Sequence, residues 1–593
     1  MKRKILWLGL SLLVVAALVL ASCAKEEVVT PTTPTMPTTP TTPTTPTTPT
    51  TPTAPAAGEP VYGGTLTMYT RGLQELGNAD IGAGPMQASY MLSFVQEKPI
   101  MGNFEEWGPR GKDEFKFQTW GYIPDKYQIG CLLDSWEVTR EQITWHVTPG
   151  IMWAPTEAQQ AWMPVRELTA DDLVADINHF KPAAGAARFK DFIGDVYATD
   201  RYTVIIETGK NFSLDLNYYL TYEDRACISP PEAEVAGLDK WENQVGTGPF
   251  MIGEYAVGSF YQFLRNPNYT HKVAHINGKE YQIPFVDEMI LPLITDTATQ
   301  IAALRTGKLD LHQGPASDQW ATLESTAPAL LSAHYSCSGT TLSLANWKKP
   351  FSDENVRRAM MIGTDLKAVG NSLGLGPLPI DWYPALYTNA DVYIPISELP
   401  AETQLLYTYN ATLAKKMLSD AGYPTGFTVH LECVSGEQLP ALIKDQWSKI
   451  GVTVIIDVVD TATHTNHMVG RTFIDIGTGG QDITAPINTA LDYGRSTATN
   501  NWAGYTSAYY DDLCLRIVGE LDPVARITLI KEAFQILRNT VAELPICPGM
   551  SGHYWWPWIK NYYGEFTTSD GTLDSIPAYM WLDQNMKAEM GYK

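Results

Sequence analysis

The chain has 593 residues, of which 44% are hydrophobic and 18% are charged, and its formal net charge is −23. A chain of this length is too long for one compact core, so the composition predicts a globular protein of two or three domains. The strong negative charge argues against nucleic acid as a partner, because phosphate groups would be repelled.

The first 22 residues have the features of a secretory signal. Lys2, Arg3 and Lys4 precede an apolar run from Ile5 to Leu20, and Ala21-Ser22 lead directly to Cys23. Small residues before a cysteine resemble a bacterial lipobox, which predicts cleavage before Cys23 and lipid on its sulfur. The alternative is an uncut membrane anchor, but the apolar run is shorter than the ~20 residues that a spanning helix needs.

Residues 23–57 are predicted to form a tether. The tract from Thr30 to Thr53 consists almost entirely of threonine and proline. Such a tract cannot bury a core and favours an extended polyproline II path. We therefore expect a globular body that is held outside a membrane by a lipid and a stalk.

Six cysteines remain after Cys23, and their spacing does not indicate a metal site. They are Cys131, Cys227, Cys337, Cys433, Cys514 and Cys547. In an exported protein they could form disulfides, for which 15 connectivities exist, or they could be buried free thiols. His464 and His467 lie three residues apart, which would place them on one helix face, but no third ligand accompanies them. No metal and no cofactor are predicted.

The stretch from Asn410 to Val458 has the clearest secondary-structure pattern. Asn410 is a helix cap, and Gly422 stands where a left-handed C-terminal cap would end the helix. Alternating apolar residues then predict a strand from Phe427, a second helix that stops at Gly451, and a second strand. Helix and strand in alternation predict a parallel α/β sheet with right-handed crossovers.

Three more helices have recognisable ends. Ser352 or Asp353 caps one helix, and Thr169 with Asp172 forms a capping box for another. A short helix is predicted from Gln300 to Thr306, where Gly307 ends it.

Several motifs occur in the order of a known family. They are Tyr62-Gly63-Gly64-Thr65-Leu66, Ser135-Trp136-Glu137, Thr169-Ala170-Asp171-Asp172-Leu173, Gly246-Thr247-Gly248-Pro249-Phe250, Arg265-Asn266-Pro267-Asn268-Tyr269, Pro350-Phe351-Ser352-Asp353-Glu354 and Ala421-Gly422-Tyr423. In this order the chain resembles the extracytoplasmic solute-binding proteins of family 5, the peptide, dipeptide and nickel class that serves ABC importers. The resemblance covers nearly all of the globular body.

The resemblance implies a two-lobed α/β fold of the periplasmic-binding-protein type, in its large three-subdomain form, with a ligand cleft between the lobes. Lobe I would comprise residues 58–314, with a small variable subdomain at about 80–190, and would resume at 545–593. Lobe II would comprise residues 315–544. The stretch 154–168 is longer than the family's turn, and its role stays open.

In function, the resemblance implies a monomeric, extracytoplasmic receptor that captures a small ligand and delivers it to ABC permease subunits. A short peptide is the expected ligand, and an oligosaccharide is the alternative. A surface-anchored hydrolase and a receptor without a transport role also stay open. A neighbouring permease and ATPase gene pair would separate the importer from a receptor without a transport role.

The resemblance also implies one ligand-binding loop. In peptide-binding relatives a loop aspartate pairs with the ammonium group of the peptide, and the corresponding stretch here runs from Gly477 to Pro486. It places Asp482 at the aspartate and Gly480 beside it, although the family's tryptophan is missing from this loop. Asp482 is therefore predicted to anchor an amine, with a solvated loop carboxylate as the alternative.

Aromatic residues favour the oligosaccharide alternative, because sugar rings stack on them. The chain has 17 tryptophans, and most aromatic residues of so large a protein pack in its core. Trp347 and Trp502 are the predicted ligand contacts among them. The other candidates are Trp153, Trp162, Trp320 and Trp382, whereas Trp555-Trp556-Pro557-Trp558 is predicted to pack within lobe I.

One motif has a spacing that is typical of a catalytic serine. Gly370-Asn371-Ser372-Leu373-Gly374 fits the spacing of a nucleophile elbow, but that motif requires a strand before it and a helix after it. Here it follows a predicted helix. We therefore predict no catalytic residues and no turnover of the bound ligand.

Overall fold

The computed structural model describes residues 58–593, apart from 71–72, 83, 86, 119–120, 122, 184–185, 187–190, 211, 224, 316, 374–379, 381, 385–390, 482–486, 571–572 and 593. Cys23 and Asp482 therefore lie outside the described residues. In the described part of the chain, no helix combines the length and the apolar character that crossing a membrane requires.

The described strands form one large sheet and four smaller ones. Their bounds are β1 Thr65–Tyr69, β2 Ile100–Gly102, β3 Gln128–Gly130, β4 Leu133–Val138, β5 Gln142–Val147, β6 Ile193–Asp200, β7 Thr203–Thr208, β8 Phe250–Ala256, β9 Phe260–Arg265, β10 Val273–Ile276, β11 Lys279–Gln282, β12 Glu288–Pro292, β13 Leu311–Gln313, β14 Leu331–Leu344, β15 Phe427–Val434, β16 Val452–Val459, β17 Ile476–Gln481, β18 Leu544–Trp555, β19 Ile559–Lys560 and β20 Trp581–Leu582.

The described α-helices are mostly short. Their bounds are α1 Gln87–Leu92, α2 Phe104–Trp107, α3 Ala170–Phe180, α4 Asp215–Thr221, α5 Pro231–Ala236, α6 Thr297–Arg305, α7 Trp320–Thr326, α8 Glu354–Ile362, α9 Leu366–Ser372, α10 Ala401–Gln404, α11 Ala411–Asp420, α12 Leu439–Ser448, α13 Thr461–Gly470, α14 Ile487–Asp492, α15 Ala508–Gly519, α16 Pro523–Thr540 and α17 Gln584–Glu589.

The large sheet has ten strands in the order β16-β15-β17-β14-β18-β13-β1-β12-β9-β8. The β15–β16 and β1–β12 pairs are parallel, whereas β14 pairs antiparallel with both β17 and β18. A separate four-stranded sheet, β4-β5-β7-β6, is antiparallel throughout. The mixed α/β class predicted from the sequence is confirmed.

The two largest hydrophobic cores of the described residues lie along the large sheet. The first core contains buried residues between Leu66 and Leu582, and the second core contains buried residues between Leu342 and Cys547. Strands β14 and β18 extend from one core to the other, because Trp555 packs in the first core and Leu544 in the second. Their pairing changes register between Ser336 and Ser338, about midway along both strands.

The lobe boundaries predicted at 314/315 and 544/545 stay predictions. The core in which the neighbouring residues are buried favours boundaries later in the chain. Leu323 and Ala327 follow the first boundary but are buried in the first core. Ile546 and Cys547 follow the second boundary but are buried in the second core. The chain thus changes core within β14 and β18 rather than before them.

The predicted helix and strand alternation after Asn410 is confirmed. The Asn410 side chain accepts a hydrogen bond from the Leu413 amide and caps α11, and Gly422 adopts a positive φ of 95° after its end. Strands β15 and β16 pair in parallel over eight residues, from Phe427 opposite Val452 onward. Local capping and alternation were sufficient here, because each signal lies within a few residues of the element it defines.

The other predicted helix ends are mostly confirmed. Asp353 caps α8, and the Thr169–Asp172 capping box begins α3. The helix predicted from Gln300 is wrong at its start, because α6 begins at Thr297 behind an Asp296 cap. Its first turn, Thr297-Ala298-Thr299, carries no apolar stripe, so the pattern of apolar residues placed the start too late.

Five of the six cysteines after Cys23 have described side chains, and all five are buried free thiols. They are Cys131, Cys227, Cys433, Cys514 and Cys547. For these residues the alternative of buried free thiols holds, and the side chain of Cys337 is outside the described part.

Candidate ligand-binding site

A cavity of about 470 Å³ lies at the end of strand β17, beside the second core. Its wall contains Thr340 of β14, Thr478, Gly479 and Gly480 of β17, and Trp502. Helix α13 contributes His464 and Met468, and Leu439 begins helix α12 at the far side. The lining surface is mostly apolar, and its polar groups are hydroxyls, the His464 imidazole, the Glu437 carboxyl and the Gln438 amide, as is usual for sites that bind small molecules.

Strand β17 has an open edge where it lines the cavity. Its pairing with β14 runs the whole length of β17, from Ile476 to Gln481. Its pairing with β15 on the other side covers only Ile476 and Gly477. Beyond Gly477, β17 therefore has no neighbouring strand on that side among the described residues, and the outward backbone groups after the Thr478 carbonyl are available for pairing.

Two glycines shape this part of β17. A Cβ atom on Gly479 would lie 3.0 Å from the Thr341 hydroxyl oxygen and 3.3 Å from the Trp502 ring. Glycine at this position lets the indole approach the strand closely. Above Gly480, a Cβ atom would meet only a carbonyl oxygen at 3.8 Å, so the surface there is open.

A buried carboxylate holds two histidines behind the cavity. Glu432 Oε1 lies 2.9 Å from His464 Nδ1, and Glu432 Oε2 lies 2.8 Å from His467 Nδ1. The other ring nitrogen of His464, Nε2, lies 2.9 Å from the Thr478 carbonyl oxygen. The two histidines share one face of α13, as their spacing predicted, and their partner is a carboxylate.

Sequence reasoning did not identify Glu432 as part of this site. Glu432 lies in β15, and only the neighbouring positions of β15, β17 and α13 bring it to His464. A charged residue directly between the buried residues Leu431 and Cys433 was the available signal. Buried charges normally have a partner elsewhere in the chain.

The predicted ligand residues are only partly brought together. Gly480 and Trp502 both line the cavity. Trp347 is not among the lining residues; it is 41% exposed and packs edge-on against Phe473, with ring centroids 5.1 Å apart. Asp482 directly follows Gln481, the last residue of β17, and lies outside the described residues.

The other candidate tryptophans have structural contacts. Trp153 and Trp382 are completely buried, and Trp162 packs against the first core. Trp320 stacks on His334 with ring centroids 4.0 Å apart. Trp555, Trp556 and Trp558 belong to the first core, as the sequence predicted.

A polar cluster lies next to β17, around Glu543. Glu543 is fully buried and accepts a hydrogen bond of 3.0 Å from the Ser343 hydroxyl. Its second oxygen, the Thr341 hydroxyl and the Gln481 amide lie close together but make no hydrogen bond of good geometry among the described residues. Burial raises the pKa of Glu543 to about 7, and the nearby hydroxyl, amide and backbone groups lower it by a smaller amount.

Three contacts join the part of the chain around the four-stranded sheet to helices α15 and α16. Arg526 of α16 forms an ion pair of 3.1 Å with Asp215 at the start of α4. The Leu214 amide donates to the Val518 carbonyl at 3.0 Å, and Arg140 donates to the Gly519 carbonyl at 2.6 Å. These carbonyls end α15, where a helix has unpaired acceptors and a partial negative charge.

Ser372 does not have the surroundings of a nucleophile. It is the last residue of α9, and its hydroxyl donates to the Ala368 carbonyl four residues earlier. A nucleophile elbow would place it on a turn between a strand and a helix. Among the described residues, no group of three or more histidine, cysteine, aspartate or glutamate side chains is arranged to hold a metal ion.

Solved structures with the same fold include binding proteins of several ligands. HbpA2 from Haemophilus parasuis matches with a TM-score of 0.68 and 19% identity, over 88% of this chain and 100% of the other. The periplasmic binding protein DppA from Helicobacter pylori, in complex with the peptide STSA, matches with a TM-score of 0.64 and 19% identity, over 88% and 99%. The predicted two-lobed, periplasmic-binding-protein-like fold is confirmed.

Curated relatives match most of the chain at low identity. The heme-binding protein A of Haemophilus influenzae is 23% identical over 73% of this chain and 81% of its own length. The periplasmic oligopeptide-binding protein OppA of the same organism is 23% identical over 74% and 83%. The family model described as "Bacterial extracellular solute-binding proteins, family 5 Middle" matches residues 129–502, which is more than half of the chain. The chain therefore belongs to family 5 of the bacterial extracellular solute-binding proteins, which are non-catalytic receptors of ABC importers.

Proposed function

We propose that this protein captures a short peptide in the cavity beside β17 and delivers it to the permease of an ABC importer. The open edge of β17 beyond Thr478 is the observation on which this proposal depends most. An extended peptide can pair with such an edge through its own backbone, which gives affinity that does not depend on the peptide's sequence. The mostly apolar cavity wall then receives one of its side chains.

Relatives of known ligand chemistry support a peptide. The names of similar proteins include an oligopeptide-binding protein and glutathione-binding proteins, and one similar structure holds the peptide STSA. These ligands share amide groups and a free amine or carboxylate. They differ in side chains, as expected where the backbone supplies much of the affinity.

Asp482 is the proposed anchor for the peptide's ammonium group. In the sequence it directly follows Gln481, the last residue of the strand that lines the cavity. A carboxylate that loses water when a ligand binds needs a cation as its partner, and an ammonium group supplies one.

The proposal includes membrane attachment through Cys23. The lipobox-like sequence before Cys23 and the Thr/Pro tract after it support a lipid anchor followed by an extended tether. The receptor would then reach its permease without diffusing away from the membrane.

Ligand chemistry is tested by calorimetry with separate pools of tetrapeptides and oligosaccharides, together with mass spectrometry of small molecules that co-purify. Binding of the tetrapeptides is the expected result. Trp502 in the cavity wall favours the oligosaccharides as the second candidate, because its ring can stack on a sugar. Binding of the oligosaccharides alone would overturn the peptide proposal.

The substitution Asp482→Asn tests the anchor. Loss of one partner of a desolvated ion pair typically costs ~2 to 5 kcal/mol, so affinity for tetrapeptides should fall by roughly 30-fold or more. Tetrapeptides with an acetylated amino terminus are the control, since they should bind both forms equally. Equal binding of free-amine peptides to both forms would show that Asp482 is a solvated loop carboxylate.

The substitution Cys23→Ser tests the lipid anchor. Without the thiol there is nothing to acylate, so the protein should become soluble or keep its signal sequence. Fractionation of cells and mass spectrometry of the amino terminus distinguish these outcomes. A fully processed Cys23→Ser protein that stays with the membrane would contradict the proposal.

A further inference from the structure

We propose that His464 is a positioning residue that, as a protonated imidazolium, holds the cavity-lining part of β17 and makes ligand affinity depend on pH. The inference rests on the proposed function, because it assigns a regulatory role to the same cavity. It begins from the backbone of β17. Pairing with β15 ends at Gly477, so the next carbonyl on that side, that of Thr478, requires another donor.

The donor is the ring of His464. Its Nε2 lies 2.9 Å from the Thr478 carbonyl oxygen, and the histidine is largely buried. The contact replaces the next rung of the β15–β17 ladder. By taking the place of a strand neighbour, His464 leaves the rest of the edge, beyond Thr478, free for a ligand.

The second ring nitrogen determines the protonation state. His464 Nδ1 lies 2.9 Å from Glu432 Oε1, while Nε2 faces the Thr478 carbonyl. A carbonyl and a carboxylate both accept hydrogen bonds, so the ring donates from both nitrogens only as an imidazolium. Glu432 supplies the balancing negative charge, and its location next to the ring makes both hydrogen bonds charge-assisted.

Other charged groups near this ring are few. His467, on the same helix, binds the second oxygen of Glu432 at 2.8 Å. Glu437 lines the same cavity from the loop after β15, and the His430–Asp457 pair joins β15 to β16. On β17 itself, His464 contacts only the Thr478 backbone and hydroxyl among the described residues, and Asp482 lies beyond them.

Deprotonation of His464 removes one of its two donors. Either the Thr478 carbonyl or the Glu432 carboxylate then loses its hydrogen bond, and a buried acceptor without a partner is costly. The wall of the cavity is less firmly held, so affinity falls as the pH rises through the range in which the imidazolium loses its proton. A charge-assisted hydrogen bond of this kind corresponds to roughly a tenfold change in affinity.

The direct test is nitrogen-15 NMR of the imidazole side chains, which does not depend on any ligand. At about pH 6, within the range in which histidines titrate, His464 should show two protonated ring nitrogens, assigned by their loss in His464→Gln. A ring with one protonated nitrogen throughout the pH series would overturn the inference. This outcome would leave the proposed function untouched.

The functional test is tetrapeptide affinity from about pH 5.5 to about pH 8.5, the range in which a histidine changes charge. The wild type should lose affinity roughly tenfold across this range, whereas His464→Gln should bind weakly and almost independently of pH. Glu432→Gln removes the counter-charge, so the fall should occur at lower pH. A purely structural role of Glu432 would not move that midpoint.

The matched control is His430→Gln, because the His430 side chain, also on β15, binds a carboxylate, Asp457 of β16, and makes no hydrogen bond to β17 among the described residues. It should leave both the affinity and its pH dependence unchanged. If His464→Gln is folded by circular dichroism and keeps the wild-type pH dependence, the inference is wrong. If no tetrapeptide binds at any pH, the proposed function is wrong, and the NMR measurement still decides the state of His464.

Discussion

Glu97 and Glu543 are both buried carboxyl groups, and their surroundings move their pKa values in opposite directions. Glu97 lies beside the first core and contacts His271 Nε2 at 2.9 Å, the Thr247 hydroxyl at 2.8 Å and the Tyr269 hydroxyl at 3.0 Å. Burial by itself would raise the pKa of Glu97, but the His271 charge and these hydrogen bonds outweigh it and hold the pKa below its usual range.

Glu543 lies beside the second core and has no cation among its described neighbours. Burial therefore dominates, and it raises the pKa of Glu543 to about 7. The comparison shows that burial alone does not determine the charge of a carboxyl group. The presence of a cationic partner decides whether the charged or the neutral form is preferred in the folded protein.

The first consequence concerns the partner of Glu97. The substitution His271→Ala leaves a charge without its partner in a buried site, which typically costs about 3 to 5 kcal/mol of unfolding free energy. Urea unfolding at neutral pH measures this loss. The loss should shrink in acid, where Glu97 becomes protonated and no longer needs a cation.

A matched control is His275→Ala in the same region. The His275 side chain is 58% exposed and lies 3.2 Å from Glu105. An exposed pair of this kind contributes at most about 1 kcal/mol. Similar losses for His271→Ala and His275→Ala would contradict the role assigned to burial.

The second consequence concerns Glu543, for which the free energy of unfolding changes with pH in the opposite direction. Between the ordinary pKa of 4.5 and the folded value of about 7, the unfolded chain releases a proton that the folded chain retains. Stability therefore falls as the pH rises through this interval and is constant above it. Glu543→Gln removes the effect, so its stability relative to the wild type should improve by roughly 2 kcal/mol between pH 5 and pH 8.

Urea unfolding of both proteins at the two pH values checks this prediction. Glu402→Gln, at an exposed position, is the control and should show no such change. If Glu543→Gln is equally destabilising at both pH values, then the carboxyl group is ionised in the folded protein and the comparison with Glu97 fails.

The differences between these sites also show what sequence reasoning could and could not supply. The α11–β15–α12–β16 segment was predictable because caps and alternation are local signals, as Asn410 and Gly451 illustrate. The contact of Glu432 with His464 was not, since it joins residues 32 positions apart through the register of β15 and β17. The family resemblance led to Gly480 at the cavity, and the stacking of sugars on aromatic rings led to Trp502, but no local pattern separated Trp502 from Trp347.

Pairing between distant strands also determines where the chain passes from the first core to the second. Its position within β14 and β18 depends on which residues of two distant strands lie opposite each other, such as Ser336 and Met550. Leu331 and Leu344 are both apolar strand residues, and nothing in their immediate sequence assigns them to different cores. Pairing register is a property of the folded chain as a whole.

Asp215 is a third buried carboxyl group, and its cation comes from another part of the chain. Its side chain is 8% exposed and pairs with Arg526 of α16 at 3.1 Å, next to the two contacts that join Leu214 and Arg140 to the end of α15. These contacts require the part of the chain around the four-stranded sheet to lie against α15 and α16. Separation of these two parts would break the pair and favour hydration of both charges.

The smallest expected effect is therefore on the equilibrium between open and closed forms. Arg526→Gln should weaken tetrapeptide binding by about 1 kcal/mol, or roughly fivefold in Kd, because a smaller fraction of the protein is closed and competent to bind. Calorimetry measures the affinity, and small-angle X-ray scattering should show a larger radius of gyration for the ligand-free variant. Lys449→Gln, which removes an exposed pair with Asp445 on one helix, is the control and should change neither. A variant at Arg526 with wild-type affinity and dimensions would show that this pair forms equally in both forms, and that the charge of Asp215 is balanced without Arg526.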